Sequence, residues 1–262
     1  MIYKVKEKFS YYLKELERLL EEEADFFGVP RYIIKGKRLR AIISHISGEI
    51  YNIPLEDTVN TGYALEMIHA ASLIHDDIID NAETRRGGTV LNKILPTNLA
   101  VLVGDLLFTK ALSLISKYTL FSQKLSLAVY NMALGQYREE LISSEEYDEH
   151  TYLDIIYKKT ATLYEVAFET GALLSGFENP QLRDAGRMFG LAFQILDDCD
   201  DYYEDEGKPT LPQIYKRIGF PNPLELSKDK AKEYLRGAEW NLDRIGVLAH
   251  FKEILDYMWE RV

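Results

Sequence analysis

The sequence predicts an all-α protein, a single helical bundle packed around buried central helices. Three observations lead there. Apolar residues recur at three- and four-residue spacing along most of the chain, no segment alternates convincingly like a strand, and nothing resembles an interdomain linker, an internal repeat or a low-complexity tract. At roughly 150 residues per domain, 262 residues would allow about 1.7 domains. Without a linker, we read residues 1–262 as one domain.

The elements follow in order. Ile2, Val5, Phe9, Leu13, Leu16 and Leu20 form one apolar stripe with Lys and Glu between them, and Val29–Pro30 ends that helix. A second helix covers about Lys37 to Ile50 and stops before Pro54. A third, about Glu56 to Asn81, is apolar on most faces and so belongs at the centre. Gly87–Gly88 marks a loop. After Pro96, Asn98 offers an N-cap for a helix over about Leu99 to Lys117. Further helices span about Phe121 to Leu141, Thr151 to Leu174 and Gln181 to Tyr203. Gly207 to Pro212 and Gly219 to Pro223 punctuate the chain, and helices near Ser227–Ile245 and Ala249–Trp259 finish it.

Composition narrows the function. Lys plus Arg number 31 against 42 Asp plus Glu, a formal charge of -11, which argues against nucleic acid or an anionic membrane as partner. The single cysteine, Cys199, cannot form an intrachain disulfide. Residues 1–10 mix charged and apolar residues, unlike a signal peptide. The most apolar run, Leu99 to Leu107, is cut by Gly104 and Asp105, so no transmembrane helix is expected. A cytoplasmic location is the expectation.

Two aspartate clusters carry the chemistry. Asp76, Asp77 and Asp80 end the apolar central helix, and the four-residue spacing of Asp76 and Asp80 puts both carboxylates on one face. Asp197, Asp198 and Asp201 repeat the pattern after a second apolar helix. Carboxylates are costly in such surroundings unless something compensates them. Hard oxygen ligands in this arrangement suit Mg²⁺, which takes one or two carboxylates plus substrate phosphates. Together the clusters imply two metal-lined walls facing one cavity. For Glu204, Asp205 and Glu206, a solvated helix end is the simpler reading. No EF-hand glycine, zinc-type Cys/His set or P-loop occurs. Lys37 and Arg40 share a face after Gly36, and Arg85–Arg86 follows the first cluster; such cations match phosphate oxygens.

These residues resemble the trans-isoprenyl diphosphate synthases, in particular the polyprenyl branch. The resemblance runs from about Lys35 to Pro212. Its markers are Gly36 to Arg40, Ile68 to Asp80, Arg85 to Gly87, Gly104–Asp105, Lys159–Thr160, Phe193–Gln194 with the second cluster, and Gly207 to Pro212. It implies a helical bundle around a deep central cavity and a Mg²⁺-dependent head-to-tail condensation of isopentenyl diphosphate onto an allylic diphosphate. By motif position, Asp76, Asp80, Asp197 and Asp201 would hold Mg²⁺, three ions per site, with Asp77 and Asp198 in support. Arg85, Lys159, Thr160, Gln194 and Lys208 would meet the allylic diphosphate. Gly36, Lys37, Arg40, His69 and Arg86 would hold isopentenyl diphosphate. A homodimer is implied as well.

In this family a bulky aromatic near the position of Ala71 caps the growing tail. Here Ile68, Ala71 and Ser72 are small or aliphatic, and a product longer than fifteen carbons is expected. One departure stands out. Only five residues separate Asp201 from Gly207, where the family has a longer segment with a further Lys and Asp, so Lys208 stands for either of two family lysines. The alternatives are a non-catalytic subunit of a heteromeric synthase and a class I terpene cyclase. The first often loses an aspartate cluster and the second replaces one; this chain keeps both.

Overall fold

The computed structural model describes residues 2–85, 87–143, 146–204 and 208–262. The first apolar stripe is two helices, α1 (Ile2–Lys8) and α2 (Ser10–Phe27), broken at Phe9. Phe9 leaves helical geometry at φ -99°, ψ 23° and is buried with Val5. A buried aromatic at the break keeps the stripe facing inward while the chain changes direction. Gly28 takes φ 64° and closes α2, with Val29 N–H returning to the Ala24 carbonyl at 2.8 Å. The short α3 (Arg31–Ile34) leads into α4 (Leu39–Ile50) and the long α5 (Leu55–Ile79).

Beyond α5 the chain makes a small antiparallel ribbon that the periodicity did not show. Strand β1 (Thr84–Arg85) pairs with β2 (Gly88–Thr89), Thr84 opposite Thr89. After α6 (Leu91–Ile94), α7 (Thr97–Leu114) begins directly after Pro96. Asn98 therefore lies inside the helix and is not its cap. Then come α8 (Thr119–Leu141) and α9 (Glu149–Ile156), the latter capped by Asp148, which accepts from Thr151 N at 2.7 Å. The helix expected over Thr151 to Leu174 is interrupted by a π-helical turn, Tyr157–Ala161, before α10 (Thr162–Leu174).

Asn179 caps α11 (Pro180–Asp200). The Pro-rich punctuation near Pro212 is itself a helix, α12 (Leu211–Ile218), since a proline in the first turn loses no helical hydrogen bond. α13 (Pro223–Arg244) and α14 (Leu248–Trp259) complete the bundle.

One apolar core runs from Val5 to Met258. α10 sits inside it, buried on nearly every face and packed against α4, α8 and α11. Phe168 stacks on Phe251 at 4.8 Å. Ser47 ties α4 to α10, donating to the Phe168 carbonyl at 2.7 Å and accepting from Gly171 N at 2.9 Å. α7 is the one helix, among the described residues, long and apolar enough to cross a membrane, a feature the sequence reading had discounted. Ala100, Val103 and Leu107 face the core, while Leu99, Val101, Leu102 and Leu106 are exposed.

Candidate active site

α5 and α11 both end at one cavity of about 980 Å³. Of the residues singled out by the sequence, Gly36, Lys37, Arg40, His69, Ser72, Asp76, Arg85, Lys159, Thr160, Gln194, Asp197, Asp198, Asp201 and Lys208 line it. Arg86 lies outside the described residues.

On the first wall Asp76 faces the cavity. Burial pushes its carboxyl up to about 6; Asp80 and Glu139 add to the shift, and Lys159 and Arg85 oppose it. Asp80 is exposed at the end of α5 and is not a lining residue, so it acts on Asp76 from the rim. Asp77 is buried and does not line the cavity either. It is the counter-ion of Arg85, whose Nε and Nη2 both reach Asp77 Oδ1 at 2.7 Å. The β1–β2 ribbon carries Arg85 back over the helix end, fixed by Tyr32, whose hydroxyl donates to Thr89 O at 2.7 Å.

Of the three residues expected to set chain length, Ser72 lines the cavity, while Ile68 and Ala71 are fully buried in the core and are not among its lining residues. At about 100° per residue, Leu73, Ser72, His69 and Glu66 stay within roughly 80° of Asp76. Ala71 lies about 140° away, and Ile68 about 80° round the side opposite Glu66.

The second wall has a different internal order. Burial raises the Asp197 carboxyl, against the pull of Arg261 and Lys37. Arg261 Nη2 donates to Asp197 Oδ1 at 2.6 Å and to Asp200 Oδ2 at 2.7 Å. Asp198 is buried, with the Tyr152 hydroxyl at 2.6 Å on Oδ2 and Gln194 Nε2 at 2.8 Å on Oδ1. Thr160 Oγ1 in turn donates to Gln194 Oε1 at 2.7 Å.

The π-helical turn places Lys159 and Thr160 on the cavity side, and such turns commonly occur at functional positions. Two glycines make room for it. A Cβ on Gly190 of α11 would stand 2.6 Å from Ala161 Cα, and one on Gly135 of α8 would stand 2.9 Å from Lys159 Cγ. Lys159 pairs with Glu139. Burial works against its charge, yet Glu139, Asp76 and Asp80 raise its pKa overall.

The basic run after Gly36 divides. Arg38, at φ 63°, also lines the cavity but is paired, with Glu17 at 2.8 Å and Glu66 at 3.1 Å. Lys37 and Arg40 turn to the cavity. Lys37 Nζ lies 5.6 Å from the Phe193 ring centre, and the Arg40 guanidinium 4.5 Å from that of Tyr164. Neither has a carboxylate partner within 4 Å among the described residues, and Arg40 Nε is buried without a hydrogen-bond acceptor. Two cavity cations without a close carboxylate suit an anion. Lys6 of α1 also lines this half, donating to Gly36 O at 2.9 Å. Burial lowers its pKa, Glu17 opposes that, and Arg38 adds to it.

The sequence reading missed Lys6, Glu66, Glu139, Tyr152, Asp200 and Arg261, which all line or reach the cavity. Of these only Asp200 had a local signal, its place inside the second aspartate run.

Among the described residues, no three Asp, Glu, His or Cys side chains converge on one point. The acids present Asp76 on one wall and Asp197 and Asp201 on the other, with Asp80 at the rim. This donor set fits Mg²⁺ held by one or two carboxylates at a time and completed by ligand phosphates.

Two aspartate-ended helices thus share one cavity lined by acidic, basic and apolar side chains, the arrangement expected of the isoprenyl diphosphate synthase class. The polyprenyl synthetase family model matches residues 26–213, and the chain belongs to that family. It is 32% identical to the octaprenyl diphosphate synthase of Haemophilus influenzae over 88% of this chain and 76% of that protein. It is also 32% identical to that of Escherichia coli, over 70% of this chain and 64% of the relative's length. The fold superposes on a Caulobacter crescentus polyprenyl synthase, crystallised with calcium and isoprenyl diphosphate, at a TM-score of 0.86. Sequence identity there is 25%, covering 98% of this chain and 97% of that one.

Proposed function

We propose that the chain is a Mg²⁺-dependent trans-prenyltransferase. It condenses isopentenyl diphosphate head-to-tail onto an allylic diphosphate and releases a polyprenyl diphosphate longer than fifteen carbons. The observation that carries this reading is the two acidic walls facing one cavity, with Lys37 and Arg40 beside them and no carboxylate within 4 Å of either among the described residues.

In this reading Asp76 and Asp80 hold Mg²⁺ from one side and Asp197 and Asp201 from the other, three ions per site. When bound, Mg²⁺ neutralises the diphosphate that leaves. Arg85, fixed by Asp77, joins Lys159 and Lys208 in binding the allylic diphosphate. Lys37, Arg40, His69 and Arg86 hold isopentenyl diphosphate, with Gly36 allowing close approach. The allylic C–O bond breaks and its electron pair leaves with the diphosphate. The double bond of isopentenyl diphosphate then attacks the freed carbon, and the released diphosphate takes up the proton lost as an alkene is restored. Thr160 and Gln194 turn oxygen atoms toward the developing positive charge. Ile33, Ile34, Leu73, Ile155 and Phe193 keep water from the cation.

Residues 1–262 act as one synthase domain in this account, in the cytoplasm, where the buried, unpaired Cys199 needs no oxidising conditions. A homodimer would cover the apolar face of Leu99, Val101, Leu102 and Leu106 on α7. Asp76→Ala and Asp197→Ala test the assignment. Each should abolish chain elongation in Mg²⁺, and near-normal condensation by both variants would refute it.

A further inference from the structure

We propose that Tyr152 is a positioning residue that acts through Asp198 to fix the orientation of the Gln194 amide. The proposal deepens the prenyltransferase reading and rests on it for its kinetic consequence; its geometry stands independently.

A carboxylate only accepts hydrogen bonds, a carboxamide has one donating and one accepting end, and a tyrosine hydroxyl can do either. Asp198 Oδ1 lies 2.8 Å from one end of the Gln194 side chain, so that end must be the NH₂ group. The carbonyl oxygen then has to face Thr160, whose hydroxyl supplies a proton at 2.7 Å. The direction of every bond is set by the charge on Asp198. Thr160 donates to Gln194, Gln194 donates to Asp198, and Tyr152 donates to Asp198 from the far side at 2.6 Å.

Tyr152 is 3% exposed. Burial, followed by the neighbouring charge of Asp198, drives its pKa well above the ordinary tyrosine value, so the hydroxyl stays protonated and donating. Both carboxylate oxygens of Asp198 thus take protein donors, although Asp198 also lines the cavity.

The consequence lies in the cavity. Thr160 has committed its proton to Gln194, so the Thr160 oxygen keeps its lone pairs for whatever lies in front of it. Gln194 likewise presents its carbonyl end. Both oxygens are then negative toward an allylic carbon that becomes positive as its C–O bond breaks. If Asp198 swings away, the amide can rotate and turn its NH₂ toward the same carbon. Removing the Tyr152 hydroxyl deletes its hydrogen bond to Oδ2 while leaving the ring in place.

Tyr152→Phe should lower kcat for condensation about tenfold, the loss expected for a hydrogen bond to a charged group. KM for both diphosphates should stay within about twofold, since no substrate contact is removed. On a Gln194→Leu background the same change should cost nothing further, because the group it orients is gone. Multiplicative effects in that double-mutant cycle, or a rise in KM without loss of kcat, would overturn the proposal. An activity-free readout separates this from the functional reading. In ¹⁵N-labelled protein the Gln194 side-chain NH₂, identified by its loss in Gln194→Leu, should exchange slowly with solvent. Tyr152→Phe should accelerate that exchange about tenfold, and unchanged exchange would overturn the positioning role. A wild-type chain that elongates no primer, yet shows the exchange difference, would refute the prenyltransferase reading and leave the positioning intact.

Discussion

Asp76→Asn should make the metal-free protein more stable at neutral pH while abolishing its activity. Burial holds the Asp76 carboxyl at about 6 in the fold, against an ordinary value of 3.8. At full ionisation that gap corresponds to about 3 kcal/mol of strain carried by the native state, and partial solvent access reduces it to about 2 kcal/mol. The sign follows from which form the fold prefers. The native state favours the protonated carboxyl, so the wild type is relieved of strain below pH 4 and loses stability as pH rises through 6. Asparagine does not titrate. The difference between variant and wild type should therefore be near zero at pH 4 and reach about 2 kcal/mol above pH 7, or roughly 4–8 °C in Tm for a chain of this size. Thermal unfolding in EDTA, followed by circular dichroism across that range, measures it. Mg²⁺ with inorganic pyrophosphate should then stabilise the wild type more than the variant. A difference that does not change with pH, or a variant less stable than wild type at pH 8, would refute the reasoning.

Other outcomes follow from the same geometry. Arg40→Ala should raise KM for isopentenyl diphosphate by about tenfold or more and leave KM for the allylic substrate nearly unchanged; steady-state kinetics with each substrate varied in turn checks this. Gly190→Ala would push a methyl group to 2.6 Å from Ala161 Cα, costing about 1–3 kcal/mol and lowering kcat as the π-helical turn shifts Lys159 and Thr160. Denaturant titration and turnover read the two effects. Ser72→Phe should narrow the cavity and shorten the products seen by mass spectrometry. Ala71→Tyr, in the packed core, should instead destabilise the protein by about 1–3 kcal/mol, visible as a lower Tm.

The acidic half of the site was legible because its signal is local. Asp76 and Asp197 each end an apolar helix, and the four-residue spacing shows the face they share. The basic run was legible as phosphate chemistry, but not in its division: only the fold shows that Arg38 is paired with Glu17 and Glu66, while Lys37 and Arg40 have no carboxylate within 4 Å among the described residues. The π-helical turn at Tyr157–Ala161 spans five residues, too short to stand out in apolar periodicity that is read over windows of about 11–18 residues. Tyr152, Lys6 and Arg261 reach the cavity from 46, 30 and 64 residues away from their partners. No local pattern encodes such pairings. Ala71 shows the reverse case: its place in the chain suggests the cavity side, yet it lies about 140° round the helix from Asp76 and is fully buried in the core. The break at Phe9 was hidden because the apolar stripe runs straight across it.

The central claim is that two acidic walls and a set of cations perform chain elongation. It is tested most directly by incubating the purified chain alone with isopentenyl diphosphate, Mg²⁺ and either farnesyl or geranylgeranyl diphosphate, and identifying the products by mass spectrometry. The account predicts linear polyprenyl diphosphates extended by five-carbon steps, absent in Asp76→Ala and Asp197→Ala. Release of cyclic hydrocarbons, or no turnover with any primer in the absence of a second protein, would contradict it.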